Sequence, residues 1–189
     1  MIILLYIVLS LLVVLSSIAM VLFLVLVLDS LIRGHDLPTS RRATRVLLKV
    51  VKQYKPDAKN FYDVGCAHGS LSLAVKKALP DLAVYAIDNS AIRIFFAKLK
   101  SKIFGGRVNF KKQDIFNIDL SRADIVYAYL WYDVMPPLEK KLQNELQQGA
   151  IVVTNTSNFP TWQPMQRVVT YPKVSKLPNF ETLFVYVKQ

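Results

Sequence analysis

Between Asn60 and Gly69 the chain reads N-F-Y-D-V-G-C-A-H-G, a run that constrains its surroundings more than any other. The apolar stretch Phe61, Tyr62 and Val64 carries one acid, Asp63, and leads into the small residues Gly65, Cys66, Ala67 and Gly69. An amphipathic helix pattern follows at once in Leu71, Leu73, Ala74, Val75, Ala78 and Leu79. Strand, glycine turn and helix in this order bring backbone close to a ligand at the mouth of an α/β sheet. Gly65 and Gly69 permit that approach because they lack a Cβ.

The neighbouring spacings agree with a nucleoside site. Val84-Tyr85-Ala86-Ile87 reads as a second strand and ends in Asp88, an acceptor placed for two ribose hydroxyls. A third strand, Val108-Asn109-Phe110, leads to Gln113-Asp114-Ile115, where an adenine edge can be read. Ordinary acids at strand ends would account for any one of these positions, but less well for all three.

D-V-G-C-A-H-G, then A-I-D-N, then Q-D-I resembles the class I S-adenosylmethionine-dependent methyltransferases. A dinucleotide dehydrogenase more usually keeps three glycines, whereas Ala67 stands here in place of the middle one. The resemblance implies a Rossmann-like sheet, mostly parallel with its last strand antiparallel. It also implies S-adenosyl-L-methionine as cofactor. Asp63, Gly65, Cys66, Ala67, Gly69, Asp88, Asn89, Asp114 and Ile115 would then line the cofactor site.

The first stretch of chain carries a different message. Ile2 to Leu28 has no charged residue and is dominated by Leu, Val and Ile. As a helix it would span roughly 40 Å, more than the roughly 30 Å hydrocarbon core of a bilayer. A cleaved signal peptide would show a basic leading region and a shorter apolar core, so an uncleaved transmembrane anchor over 1–30 is expected. Arg33, Arg41, Arg42, Arg45, Lys49, Lys52, Lys55 and Lys59 follow, against Asp36 and Asp57 alone. That flank places the rest of a single-pass chain on the cytosolic side, and it suits anionic lipid. The organisation expected is thus an anchor (1–30), a basic linker with an amphipathic helix (31–58), and a cofactor-binding domain (59–189).

The remaining pattern fills in that domain. Thr39 or Ser40 can cap a helix to about Tyr54 with Ala43, Val46, Leu47, Val50 and Val51 inward. Asn89 to Lys102 reads as a helix with Ile92, Phe95, Phe96 and Leu99 inward, broken at Gly105-Gly106. Ala123–Leu130 and Ala150–Asn155 are the fourth and fifth strands, and Pro136 opens a helix carrying Leu138, Leu142 and Leu146. Gln166–Tyr171 and Glu181–Val187 read as a closing antiparallel pair, with no room for a helix before them. Cys66 is the only cysteine of 189 residues, which excludes an internal disulfide and a cysteine-rich metal centre; no metal is expected.

Methyl transfer requires alignment and a neutral nucleophile. The acceptor pocket is expected at Tyr129, Trp131, Tyr132 and Asp133, with Asn155 and F-P-T-W-Q-P (159–164) beside it. Tyr129, Trp131 and Asp133 are the candidate catalytic residues; the tryptophans could equally be packing anchors. L-P-T before a basic helix, the glycine turn, V-M-P-P-L-E-K-K-L and F-P-T-W-Q-P together are similar to the small membrane-anchored protein-lysine methyltransferases. That family modifies the ATP synthase c-subunit and the adenine nucleotide translocase. By that resemblance Pro38 and Thr39 lie near the cofactor and the substrate is a membrane protein. His68 replaces the family's usual acid and Tyr132 its proline. The formal charge of +11 also admits RNA or a small molecule as acceptor. Nucleic acid is not favoured, since no N-P-P-Y-type motif follows strand four. A non-catalytic binding module is the remaining alternative.

Overall fold

The computed structural model describes residues 2–33, 37–171 and 180–189. The chain forms two compact units, Met1–Asp36 and Leu37–Gln189.

The first unit is one helix, α1 (Ile2–Arg33), long and apolar enough to cross a membrane. Its serines turn their hydroxyls onto the helix itself: Ser10 donates to the Ile7 carbonyl at 2.9 Å, and Ser16 and Ser17 to Val13 at 2.9 and 2.8 Å. Hydroxyls satisfied in this way need no water.

The second unit opens with α2 (Arg41–Tyr54), capped by Ser40, whose Oγ accepts from the Ala43 N–H at 3.1 Å. Among the described residues seven strands follow: β1 (Asn60–Val64), β2 (Ala83–Asp88), β3 (Asn109–Lys112), β4 (Ile125–Ala128), β5 (Ile151–Asn155), β6 (Gln166–Val169) and β7 (Thr182–Val187). They form one sheet in the order β3-β2-β1-β4-β5-β7-β6. β1 to β5 pair in parallel, and β7 runs antiparallel to both β5 and β6. The expected α/β sheet is therefore present, with its antiparallel final strand. No helix is described between β5 and β6, while the link before β7 (172–179) lies outside the described residues.

Alternation along the strands sends side chains to two cores. On one face Phe61, Ile125, Tyr127, Val153 and Leu183 pack with α2 and with α3 (Ser70–Ala78). On the other, Val64, Val126, Val152 and Tyr186 meet α5 (Met135–Glu145) through Leu138 and Leu142. Leu146, expected with that pair, is also buried.

One helix departs from its expected orientation. α4 (Ala91–Phe104) starts after Ser90, whose Oγ accepts from the Arg93 N–H at 3.2 Å. Its inner side is Arg93, Ile94 and Ala97, while Phe95 and Leu99, expected inward, are 63% and 42% exposed. Close packing explains the choice. A Cβ at Gly69 would lie 3.1 Å from the Ala97 Cβ, so α4 approaches the turn through its smallest residue.

Candidate active site

The site lies along the C-terminal edge of the parallel strands, and its first half is the glycine turn. Gly65 has φ +84°, and a Cβ there would come within 2.5 Å of the Leu130 Cδ2. Gly69 has φ +69°, caps α3, and faces the Phe110 ring at 2.5 Å in the same sense. Both glycines are thus demanded by the protein's own packing. Ala67 adopts φ 46°, a left-handed conformation that costs an L-residue roughly 1 kcal/mol.

Asp88 holds this turn in place. Its Oδ2 accepts from the Ala67 N–H at 2.9 Å and its Oδ1 from the Ser90 N–H at 2.8 Å. The Ile87 carbonyl accepts from Gly65 and Cys66, and the Asp88 carbonyl from Gln113, so the ends of β1, β2 and β3 are tied together. A carboxylate has about four acceptor positions; these two bonds take one on each oxygen of Asp88, which is 5% exposed. Asn89 is exposed beside it. Asp114 is exposed too, and its Oδ1 accepts from Phe116 N–H at 2.9 Å while Ile115 packs inward. An acceptor pair, an exposed amide and a second carboxylate along one edge fit an adenosine.

Beneath the turn, Asp63 is buried and receives a short hydrogen bond from the Ser72 hydroxyl. Burial pushes its carboxyl up to about 7; the serine bond opposes this, and the nearby Asp88 adds to it. Cys66 is buried in the small cluster of Ala86, Ile94, Ala97 and Phe110, and burial drives its thiol well above the ordinary range. Such a thiol packs and does not attack.

The second half of the edge comes from β4, β5 and β7. Tyr127 is 1% exposed, and its hydroxyl sits 2.7 Å from Thr39 Oγ1 and accepts from Asn155 Nδ2 at 3.1 Å. That contact brings the segment before α2, Pro38 and Thr39, over the sheet edge beside the Asp63 register position. Burial raises the tyrosine's pKa. Tyr129, half-buried on the same side, is raised by burial and by the charge of Glu181, with a hydrogen bond to Thr156 acting oppositely.

Glu181 was not singled out in the sequence, yet it is the least ordinary group here. It is 3% exposed, and Oε1 accepts from the Ser40 N–H at 2.7 Å. Its other oxygen, Oε2, is buried with no hydrogen-bond partner among the described residues. Glu181 has φ 43° and Thr156, whose Oγ1 accepts from the Glu181 N–H at 3.1 Å, has φ 67°. Two non-glycine residues in left-handed backbone, one of them β-branched, hold one carboxylate at the mouth of the sheet.

Trp131, Tyr132 and Asp133 form an exposed turn after β4, Trp131 being 53% exposed; the Tyr132 hydroxyl donates to the Thr156 carbonyl at 3.2 Å. Trp162 belongs elsewhere: it stacks on Phe159 and leans on Tyr186 in the α5 core. Its loop is fastened by Glu139 on α5, which accepts from Thr161 Oγ1 at 2.6 Å and from Trp162 N–H at 2.5 Å. Two of the recognisable motifs, V-M-P-P-L-E and F-P-T-W, are therefore two sides of one structural clasp. His68 lies beside the Phe96 ring, 6.2 Å between centres.

Known proteins resemble this chain in sequence and in fold. A family profile described as the ANTKMT methyltransferase domain matches residues 63–166. A protein-lysine N-methyltransferase of Saccharolobus islandicus is 28% identical over 79% of this chain and 91% of its own length. A carboxy-S-adenosyl-L-methionine synthase of Campylobacter lari is 24% identical over 61% of the chain, which spans about half of that protein (50%). Among solved structures, an RNA methyltransferase of Salinibacter ruber in complex with S-adenosyl-L-homocysteine aligns over 80% of this chain and 93% of its own. Its TM-score is 0.69 at 21% identity, a likeness of fold.

Proposed function

The chain belongs to the ANTKMT methyltransferase domain family and is an S-adenosylmethionine-dependent methyltransferase; on that premise we propose that it methylates a lysine amine of a membrane-associated protein. The cofactor supplies a methyl group on a sulfonium; Asp88, Asn89, Asp114 and the Gly65–Gly69 turn would hold its adenosine end. Pro38 and Thr39 cover the edge from the other side.

Glu181 carries the amine reading. A buried carboxylate oxygen without a partner is costly unless a cation or donor completes it. An ammonium or amine supplies that donor. Its Oε2 would accept from the acceptor nitrogen and orient it, with Tyr129 and Tyr132 walling the approach. Closeness to a sulfonium and an apolar wall favour the neutral amine, while the Glu181 carboxylate favours the ammonium and is placed to take its proton. The likeness to the protein-lysine N-methyltransferase of Saccharolobus islandicus supports the same class of acceptor. The apolar α1 and the basic run after it support a single-pass chain whose catalytic unit faces the cytosol, with anionic lipid beside it.

The test is radiolabelled cofactor incubated with native membranes and the purified full chain. A labelled protein band is expected; label in RNA or in small molecules alone would overturn the lysine reading. Glu181→Gln keeps size and one hydrogen-bond acceptor but loses the charge. It should lower kcat/KM by about tenfold to a hundredfold, corresponding to roughly 1.5–3 kcal/mol. Cofactor affinity should stay close to wild type.

A further inference from the structure

The outer face of α4 takes no part in the site. Ile92, Phe95, Leu99 and Ile103 follow one another at helical spacing and form a single stripe. Phe95, Ile103 and Phe104 are 63%, 66% and 77% exposed. Lys98 and Lys102 are exposed along one side of the stripe, and Lys100 lies on the other, reaching Ser70 Oγ at 2.9 Å. Arg107, Lys111 and Lys112 extend the basic surface toward the edge strand β3, and Phe116 is exposed just beyond. No acidic residue occurs from Ala91 to Gln113.

We propose that this face of α4 lies in the surface of an anionic bilayer, a second membrane contact in addition to α1. The proposal rests on the reading of α1 as a membrane anchor. An exposed apolar patch of this kind is a liability in water and marks a contact surface. The combination of aromatic and aliphatic side chains with a lysine border and no acids suits an interfacial helix on acidic headgroups. The rings and branched chains would enter the headgroup boundary while the lysines reach phosphate and carboxylate groups. α4 runs alongside the strands, so laying it flat also lays the sheet flat. The mouth of the site would then open along the membrane surface, at the height where a lysine of a membrane protein emerges.

The buried Cys66 makes a clean probe experiment possible, because an exposed introduced cysteine would take the label. Full-length Leu99→Cys, Ile103→Cys and, as control, Gln147→Cys would carry an environment-sensitive fluorophore. Each would be reconstituted in vesicles of equal parts phosphatidylcholine and phosphatidylserine. The expected result is a blue-shifted emission at Leu99 and Ile103, quenched by brominated lipid, with neither effect at Gln147. Replacing phosphatidylserine by phosphatidylcholine should reduce both. Probes at Leu99 and Ile103 as wet as the control would overturn the proposal. A blue shift that brominated lipid does not quench would overturn it too, since the cover would then be protein. Carbonate washing separates the two readings. A chain that stays in the vesicles with wet probes keeps its anchor and loses only the α4 contact; a chain washed out overturns both.

Discussion

The two halves of the sheet's C-terminal edge are finished in opposite ways. At β1, β2 and β3 the polar groups answer one another: Asp88 holds Ala67 and Ser90, Ile87 holds Gly65 and Cys66, and the glycines are filled by Leu130 and Phe110. At β4, β5 and β7 a carboxylate oxygen has no partner among the described residues, Tyr129 lies close enough to feel its charge, and Thr156 and Glu181 hold left-handed backbone. On the proposed reading, the first half presents a fixed surface to the cofactor, and the second keeps unmet polar capacity for the acceptor. Preorganisation and unmet capacity are different solutions, and the two halves should answer mutation differently.

The largest effect is expected where the finished half would be undone. Asp88→Ala removes the acceptors of two backbone N–H groups together with the ribose partner. Each orphaned donor costs about 1–3 kcal/mol, so both thermal stability and cofactor binding should fall. Calorimetric titration should show affinity reduced by more than about tenfold, roughly 1.4 kcal/mol. Equal binding by the two proteins would place the adenosine elsewhere.

Asp63 comes next, and its effect is one of pH. Its carboxyl is raised to about 7 in the fold, against about 3.9 in an unfolded chain. Between those values the native state binds more protons than the unfolded one, so Asp63's stabilising contribution is present below about pH 4 and lost as pH rises through 7. The slope is at most about 1.4 kcal/mol per pH unit for one group. Asp63→Asn has no such titration. Denaturant unfolding of both proteins from pH 4.5 to 8 should show wild type losing stability relative to the variant, with the difference levelling off above 7. Parallel curves would mean that Asp63 stays ionised throughout.

The open half gives a smaller, kinetic signal. Trp131 and Asp133 are exposed and support no core, so Trp131→Ala and Asp133→Ala should leave folding and cofactor affinity unchanged. If the acceptor passes over this turn, kcat/KM should fall about tenfold, roughly 1.4 kcal/mol of barrier. Full turnover in both variants would confine acceptor recognition to the interior group around Glu181.

What the sequence disclosed follows the same division. The glycine turn, Asp88 and Asp114 stand in contiguous motifs, because the chemistry of a turn is local. Hydrophobic period and turn residues likewise located the strands and α5. Glu181 escaped notice because its meaning is not local. It precedes an unremarkable strand, and only the antiparallel return of β7 brings it to Ser40 and Thr156. Thr39, Tyr127 and Asn155 meet for the same reason, across three separate segments. The inversion of α4 has another cause. Apolar residues surround much of that helix, and periodicity cannot choose between two apolar sides. The contact of Ala97 with Gly69 and Phe110 chose, and it left the larger side outside.

The smallest expected effect tests whether the cofactor half holds any residual strain. Ala67 replaces the middle glycine of the turn and takes φ 46°, where a Cβ crowds the following carbonyl. Its N–H is fixed by Asp88 at 2.9 Å, so the conformation is imposed from outside the residue. Glycine would adopt it without that crowding, worth roughly 1 kcal/mol. Glycine also gives the unfolded chain more freedom, which takes back about 0.4–1 kcal/mol. Ala67→Gly should therefore change stability by only a few tenths of a kcal/mol either way in thermal unfolding. Cofactor affinity should stay the same, since the backbone N–H and its partner Asp88 are kept. A large loss of affinity would show that the Ala67 methyl itself touches the ligand. A large gain in stability would show that the turn is more strained than its neighbours' hydrogen bonds imply, and the contrast with the Thr156–Glu181 side would narrow.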